Sequence, residues 1–186
     1  MYEEFLWVGK RLESQGLITA QGGNLSVRDG DDMVITRTES FLGDLSEDDL
    51  VRVPINGEPL PDTAPSREWR VHQAIYKNSD AMAVVHAHPC FAVALSFLVD
   101  HIDTVDAEGL LLLGKVPVIS AQSAVASAEV AYKIGEIAHE TNAVMVKGHG
   151  SFAWGKGLRE AYSLTTTLAA SAKILFNLTV VMTRGR

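Results

Sequence analysis

Ala83-Val84-Val85-His86-Ala87-His88-Pro89 is the stretch on which the reading of this chain turns. Small and β-branched apolar residues ending at a proline read as a short buried strand. Alternate residues of a strand project to the same face, so His86 and His88 present two imidazoles side by side. That geometry suits a divalent metal such as zinc, which takes nitrogen ligands at about 2.0–2.1 Å. Two surface histidines at a strand end have the same spacing, so the pair needs partners before it means a metal.

Candidate partners lie on both sides. Downstream, Gly148-His149-Gly150 follows an apolar strand at residues 143–146, and the flanking glycines let the backbone come close to something. His149 could therefore complete a three-histidine site. Upstream, Pro65-Ser66 opens a helix running to about residue 78, with Ser66 as its expected N-cap and Glu68 one turn in. A carboxylate beside three histidines can be a fourth ligand or a proton-transferring base. His72 falls on the same helical face as Glu68 and is either a ligand or, as we favour, a helix-internal histidine bonded to a neighbour. His101 and His139 read as solvated loop and helix positions, and Cys90 as a small packed thiol.

The remaining pattern surrounds this pair with strands and helices. Helices are expected at residues 2–15, 91–98, 126–140 and 158–182, and strands at 24–28, 33–36, 50–53, 116–119 and 152–154. Asp29-Gly30-Asp31 reads as a turn between strands, Ser46 with Asp49 as a capping box, and Asn56-Gly57 as a hairpin-type turn. The interleaving argues for an α/β domain whose sheet is covered by helices, and the hairpins make that sheet at least partly antiparallel.

A chain of 186 residues, 47% hydrophobic and 21% charged, fits one domain spanning residues 1–186 with a sizeable core. The net charge of -7 argues against nucleic acid as a main partner. One cysteine excludes an intramolecular disulfide framework and fits a cytoplasmic setting. The start Met-Tyr-Glu-Glu-Phe lacks the positive charge of a signal peptide. The apolar stretch at residues 168–182, interrupted by Lys173 and Asn177, is shorter than the roughly 20 residues of a spanning helix, so no membrane partner is expected.

Anion-binding elements are also present. Gln21-Gly22-Gly23-Asn24 is a glycine pair before a strand, whose amides could line an anion pocket but which reads equally as a plain turn. Thr36-Arg37-Thr38 adds donors. Ser66 and Arg67 sit at the expected helix N-terminus, where unpaired amides favour anions, and Arg67 is equally readable as an exposed salt bridge.

Taken in order, Gly22-Gly23-Asn24-Leu25-Ser26-Val27-Arg28, Ile35-Thr36-Arg37-Thr38, Leu45-Ser46-Glu47-Asp48-Asp49-Leu50, Pro65-Ser66-Arg67-Glu68, the His86–His88 strand and Lys147-Gly148-His149-Gly150 resemble the class II aldolase/adducin family. The resemblance implies a three-layer α/β/α fold with a mainly antiparallel central sheet, in a homotetramer with active sites at subunit interfaces. It implies that His86, His88 and His149 hold zinc, with Mn2+ or Co2+ as alternatives, and that Glu68 shuttles a proton and can ligate the metal. It places a small anionic hydroxy-carbonyl substrate against Gly23, Asn24, Thr38, Glu39, Ser66 and Arg67. The implied reaction is metal-dependent cleavage of a carbon–carbon bond through a stabilised enediolate, with a sugar phosphate as the expected substrate. A decarboxylase, a pentulose-phosphate 4-epimerase, a methylthioribulose-phosphate dehydratase and a non-catalytic adducin-like module are the alternatives.

Three positions depart from the family's sugar-phosphate aldolases. Glu39 stands where a glycine is usual, and Arg67 where serine or threonine is usual. The two could compensate as an ion pair, or Arg67 could bind a carboxylate or a displaced phosphate. Near Thr104-Val105-Asp106-Ala107-Glu108-Gly109 no tyrosine proton donor is found, leaving Asp106 or Glu108 as substitutes.

Overall fold

The structure is a computed structural model that describes residues 1–184. Its elements in chain order are α1 (Tyr2–Ser14), β1 (Asn24–Asp29), β2 (Asp32–Thr36), β3 (Leu50–Pro54), α2 (Trp69–Asn78), β4 (Ala83–Ala87), α3 (Cys90–Ser96), β5 (His101–Asp103), α4 (Ala107–Leu112), β6 (Lys115–Ile119), α5 (Ala128–Ile137), β7 (Ala143–Val146), β8 (Gly150–Gly155) and α6 (Leu158–Arg184). The strands form one sheet in the order β3-β2-β1-β4-β8-β7-β6-β5. Every neighbouring pair is antiparallel except β6 and β7, which α5 connects as a crossover that returns the chain to run the same way.

Side-chain alternation sorts the core into two faces, as the three-layer reading requires. Val84, Val144, Val146, Phe152 and Trp154 point to the face covered by α2 and α5, where they meet Ile75, Val130 and Ile134. Val85, Ala87 and Leu25 point the other way, against Phe5, Val8 and Leu12 of α1 and Leu158 of α6. Farther along the sheet, Met145 and Ala153 pack with Leu95, Leu164 and Leu168. His86 shares the Val84 face, so it looks toward α2.

Several local expectations need correction. α2 begins at Trp69, with Glu68 rather than Ser66 at the N-cap position. The preceding segment is held extended instead: Arg37 and Pro65 form a β-bridge, and the Ser66 N–H donates to the Thr36 carbonyl at 2.9 Å. Asn56-Gly57 turns the chain after β3, but among the described residues no strand returns beside it, and β3 is the sheet edge. α5 starts two residues late, since Ser127 caps it by accepting from the N–H groups of Glu129 and Val130. Residues 101–103 and 107–112, for which no element was expected, form β5 and α4, so His101, read as a loop position, is an exposed strand residue. His139 lies in a turn just beyond α5 and is exposed. Cys90 is exposed, because Pro89 ends the strand direction and Cys90 opens α3 on its solvent side.

α6 is longer than the apolar stretch inside it suggests. Leu158–Met182 is long and apolar enough to cross a membrane by length and composition alone. Leu158, Ala161, Leu164, Leu168 and Ala172 are buried, so one face of its first half packs against the sheet. Its later turns expose Ile174, Leu178, Val181 and Met182.

Candidate metal centre

The β4–β8 register creates the site. His86 pairs with Phe152 and Ala87 with Ser151, so the turn before β8 carries His149 to the end of β4, where His88 has just left the strand. One ligand atom from each of the three histidines lies within 4.8 Å of the others. Gly150 is required for this approach: a Cβ there would sit 2.5 Å from His88 Cδ2 and 2.9 Å from His86 Cε1. Gly23 is needed on the opposite wall, with φ of 79° and the His86 carbonyl only 2.8 Å from any added Cβ.

The ring geometry fits a cation. His86 Nδ1 donates to the Ser151 carbonyl at 2.9 Å, and Phe152 stacks on the ring at 4.2 Å between centroids. That donation leaves Nε2 with a bare lone pair, the tautomer a metal requires. His86 Nε2 faces His88 Nε2 at 3.0 Å. Without an ion the His88 Nε2–H can donate to that lone pair, and two ligands of one tetrahedral zinc sit roughly 3.3 Å apart, so little movement separates the hydrogen-bonded pair from a ligand pair. Burial lowers the pKa of His86 well below its ordinary value, and His88 and His149 add to the effect. Burial first, and then His149, hold His88 at about 4; burial also lowers His149. All three imidazoles are therefore neutral near pH 7 and free to ligate.

Glu68 completes the arrangement. It is 4% exposed, and its Oε1 accepts the Ala126 N–H at 2.9 Å and lies 3.9 Å from His149 Nε2. Oε2 is buried with no hydrogen-bond partner, an orphan of the kind that marks a reactive or ligand-seeking group. Burial raises the Glu68 pKa, opposed by the Ala126 N–H and by Arg67.

The three histidines and Glu68 open onto a cavity of about 780 Å³ that Gly23, Asn24, Thr38, Glu39, Ser66 and Arg67 also line. The expected site residues therefore converge. His72 does not join the metal group; it is a fully buried helix histidine bonded to Asn24 and Ser26. Nor do Asp106 and Glu108 line the cavity, and Asp106 instead caps α4 by accepting the Gly109 N–H. Arg67 and Glu39 form no ion pair among the described residues, so the compensation envisaged for them is not made. Glu39 has φ of 63°, the left-handed conformation that explains why glycine is usual there. Arg67 is exposed and, with Ser66, lies just before the Glu68 N-cap of α2 rather than within its first turn.

Some contributors had no signal in the sequence. The Ser151 carbonyl and the Ala126 N–H are backbone groups whose positions depend on long-range packing. Phe152 could have been suspected only from its place in an apolar strand.

Acid should destabilise the metal-free protein through His72. Burial holds His72 at about 3, below the roughly 6.5 of an unfolded histidine. The unfolded chain thus takes up the proton first. The contribution of His72 is complete above about pH 6.5 and is lost as pH falls toward its folded value. Denaturant titrations of wild type and His72→Phe should differ in slope by about 1.4 kcal/mol per pH unit across that window. Parallel slopes would show that His72 is not buried as a neutral ring.

Residues 3–176 match the family model described as the Class II Aldolase and Adducin N-terminal domain. An L-fuculose phosphate aldolase of Methanocaldococcus jannaschii is 30% identical over 180 residues, covering 96% of this chain and 97% of that protein. A 3-oxo-tetronate 4-phosphate decarboxylase of Pectobacterium atrosepticum is 32% identical over 181 residues, covering 93% and 82%. The crystal structure of L-fuculose-1-phosphate aldolase from Thermus thermophilus superposes with a TM-score of 0.93 at 39% identity, covering 100% and 97%.

Proposed function

The chain belongs to the class II aldolase and adducin family, and from that premise we propose that it is a metal-dependent lyase acting on a small phosphorylated hydroxy-carbonyl substrate, in the manner of an L-fuculose phosphate aldolase. The observation that carries the reading is the buried Glu68 carboxyl, with one unpartnered oxygen, directed into the same cavity as three neutral histidines. A scaffold with a dead site has no need of that combination.

His86, His88 and His149 would hold the ion, zinc being our first choice, with Mn2+ or Co2+ as alternatives, and Glu68 is placed to approach it in the absence of substrate. When bound, a divalent ion supplies Lewis-acid stabilisation of negative charge on a carbonyl oxygen. In retro-aldol cleavage, the hydroxyl beyond the breaking carbon–carbon bond gives its proton to the Glu68 carboxylate and becomes an aldehyde. The electron pair passes toward the carbonyl, and the carbon left behind must recover a proton. Glu68, with its pKa raised by burial, is suited to hold that proton on Oε2 and return it. Gly23, Asn24, Thr38, Ser66 and Arg67 would receive the substrate anion; the Thr38 N–H is already given to the Ala64 carbonyl, which leaves its hydroxyl.

A decarboxylase of a phosphorylated keto acid is the second reading. Arg37 and Arg67 both line the cavity, and neither side chain makes an ion pair among the described residues, so a second acidic group of the substrate could be met there. The exposed apolar residues on α4 and α6, Leu110, Leu111, Ile174 and Leu178 among them, are the surface through which the homotetramer proposed with this function would associate, and a cytoplasmic setting is proposed with it.

A substrate screen with product identification tests the lyase reading. Phosphorylated ketoses should release an aldehyde and a three-carbon ketone phosphate, with no carbon dioxide. Carbon dioxide from a keto-acid phosphate would transfer the assignment to the second reading, and epimer or dehydrated product would displace both.

A further inference from the structure

A buried hydrogen-bond chain runs behind the cavity wall. Tyr76 Oη lies 2.7 Å from Ser26 Oγ, Ser26 Oγ lies 2.6 Å from His72 Nδ1, and His72 Nε2 lies 2.6 Å from Asn24 Oδ1. None of the four residues is more than 5% exposed. Asn24 and Ser26 are alternate residues on one face of β1, and His72 and Tyr76 are one turn apart on α2. Two pairs of matching pitch thus interlock across the sheet–helix interface.

The direction of this chain follows from counting protons. Each hydroxyl, and the neutral imidazole, has one proton to give. Ser26 is the one described partner of Tyr76 Oη. Were Ser26 to donate to Tyr76, the tyrosine proton would have no acceptor, and a buried donor left unmet costs about 1–3 kcal/mol. In the other direction every proton is placed. Tyr76 donates to Ser26, Ser26 donates to His72 Nδ1, and His72 Nε2–H donates to Asn24 Oδ1. The amide oxygen of Asn24 is then taken. Its Nδ2 has no described protein partner and is not among the fully buried unpaired atoms, so it faces the cavity that Asn24 lines.

We propose that His72 is a positioning residue, which through Ser26 and Tyr76 fixes the Asn24 side-chain amide as a hydrogen-bond donor toward the substrate anion. The nature of what the donor meets rests on the anion reading proposed above; its orientation does not. Without the Nε2–H, the Asn24 amide is free to turn its oxygen into the cavity, where it would repel an anion.

Two measurements test this. Nitrogen-15 NMR of the histidine rings near neutral pH should show His72 protonated on Nε2 and bare on Nδ1. The opposite tautomer would overturn the proposal whatever the protein binds. Titration with inorganic phosphate should then show about ten- to hundredfold weaker binding for Asn24→Ala, the range for losing a bond to a charged group. His72→Phe should match that loss, and the double variant should lose no more than either single. Ser26→Ala, a milder change in case His72→Phe folds poorly, should weaken phosphate by about two- to tenfold, as for one neutral hydrogen bond. Wild-type phosphate affinity in folded His72→Phe and Ser26→Ala, with Asn24→Ala impaired, would reduce His72 to a core residue. Undiminished binding by Asn24→Ala would instead sink the anion reading of Asn24, and with it the purpose proposed for the orientation.

Discussion

Replacing His86 with alanine is expected to strip the metal and abolish turnover. His86 is the most constrained of the three histidines: it is 1% exposed, donates Nδ1–H to the Ser151 carbonyl and is stacked on Phe152. Those contacts hold the ring in the one tautomer and orientation that turns Nε2 toward His88 and His149. Losing only an outer partner of a metal-binding histidine weakens binding by about 10- to 100-fold, so losing the ligand itself should exceed that range. Elemental analysis should give about one tightly held ion per wild-type chain, the stoichiometry of a three-ligand site, and a small fraction of that in the variant. His88→Ala serves where the buried substitution costs too much stability, because His88 is only half-buried and breaks no strand pairing. Full occupancy in both variants would refute the three-histidine site.

How the metal ligands could be found in advance, while their supports could not, has a physical explanation. The H-x-H spacing on a strand is a local property, since alternation fixes the shared face whatever lies beyond. The glycines around His149 are likewise local, and Gly150 is needed because the His86 and His88 rings crowd its Cα. Convergence is not local. It depends on β8 pairing with β4 across more than sixty residues, which no short-range pattern encodes. The start of α2 shows the reverse failure. Pro65-Ser66 carries a sound local helix signal, yet the bridge between Arg37 and Pro65 holds that segment extended and moves the helix start to Trp69. That shift matters, because it leaves Glu68 at the N-cap with its side chain free to reach Ala126 instead of capping the helix. The role of His72 needed the partner strand as well, since its hydrogen bonds go to β1 and not to its own helix.

Glu68→Gln should separate proton transfer from metal binding. Glutamine keeps the shape of the side chain, and its carbonyl oxygen can still accept the Ala126 N–H that holds Oε1. The amide cannot exchange a proton, so the function assigned to Oε2 is removed while the three imidazoles are untouched. Turnover should fall by about 10²–10⁴-fold, the usual contribution of a positioned general acid or base, with metal content close to that of wild type. The neutral amide avoids burying a charge but sets an NH2 group where Oε2 has no partner, so a thermal melt is needed to show that the variant is folded when its rate is read. The pH profile supplies a second readout: the limb of the wild-type rate that reports Glu68 should vanish in the variant. Near-normal turnover with an unchanged profile would remove Glu68 from the chemistry. Loss of the metal together with activity would instead make it a ligand required in the resting site, and the proton would then have to come from elsewhere in the cavity.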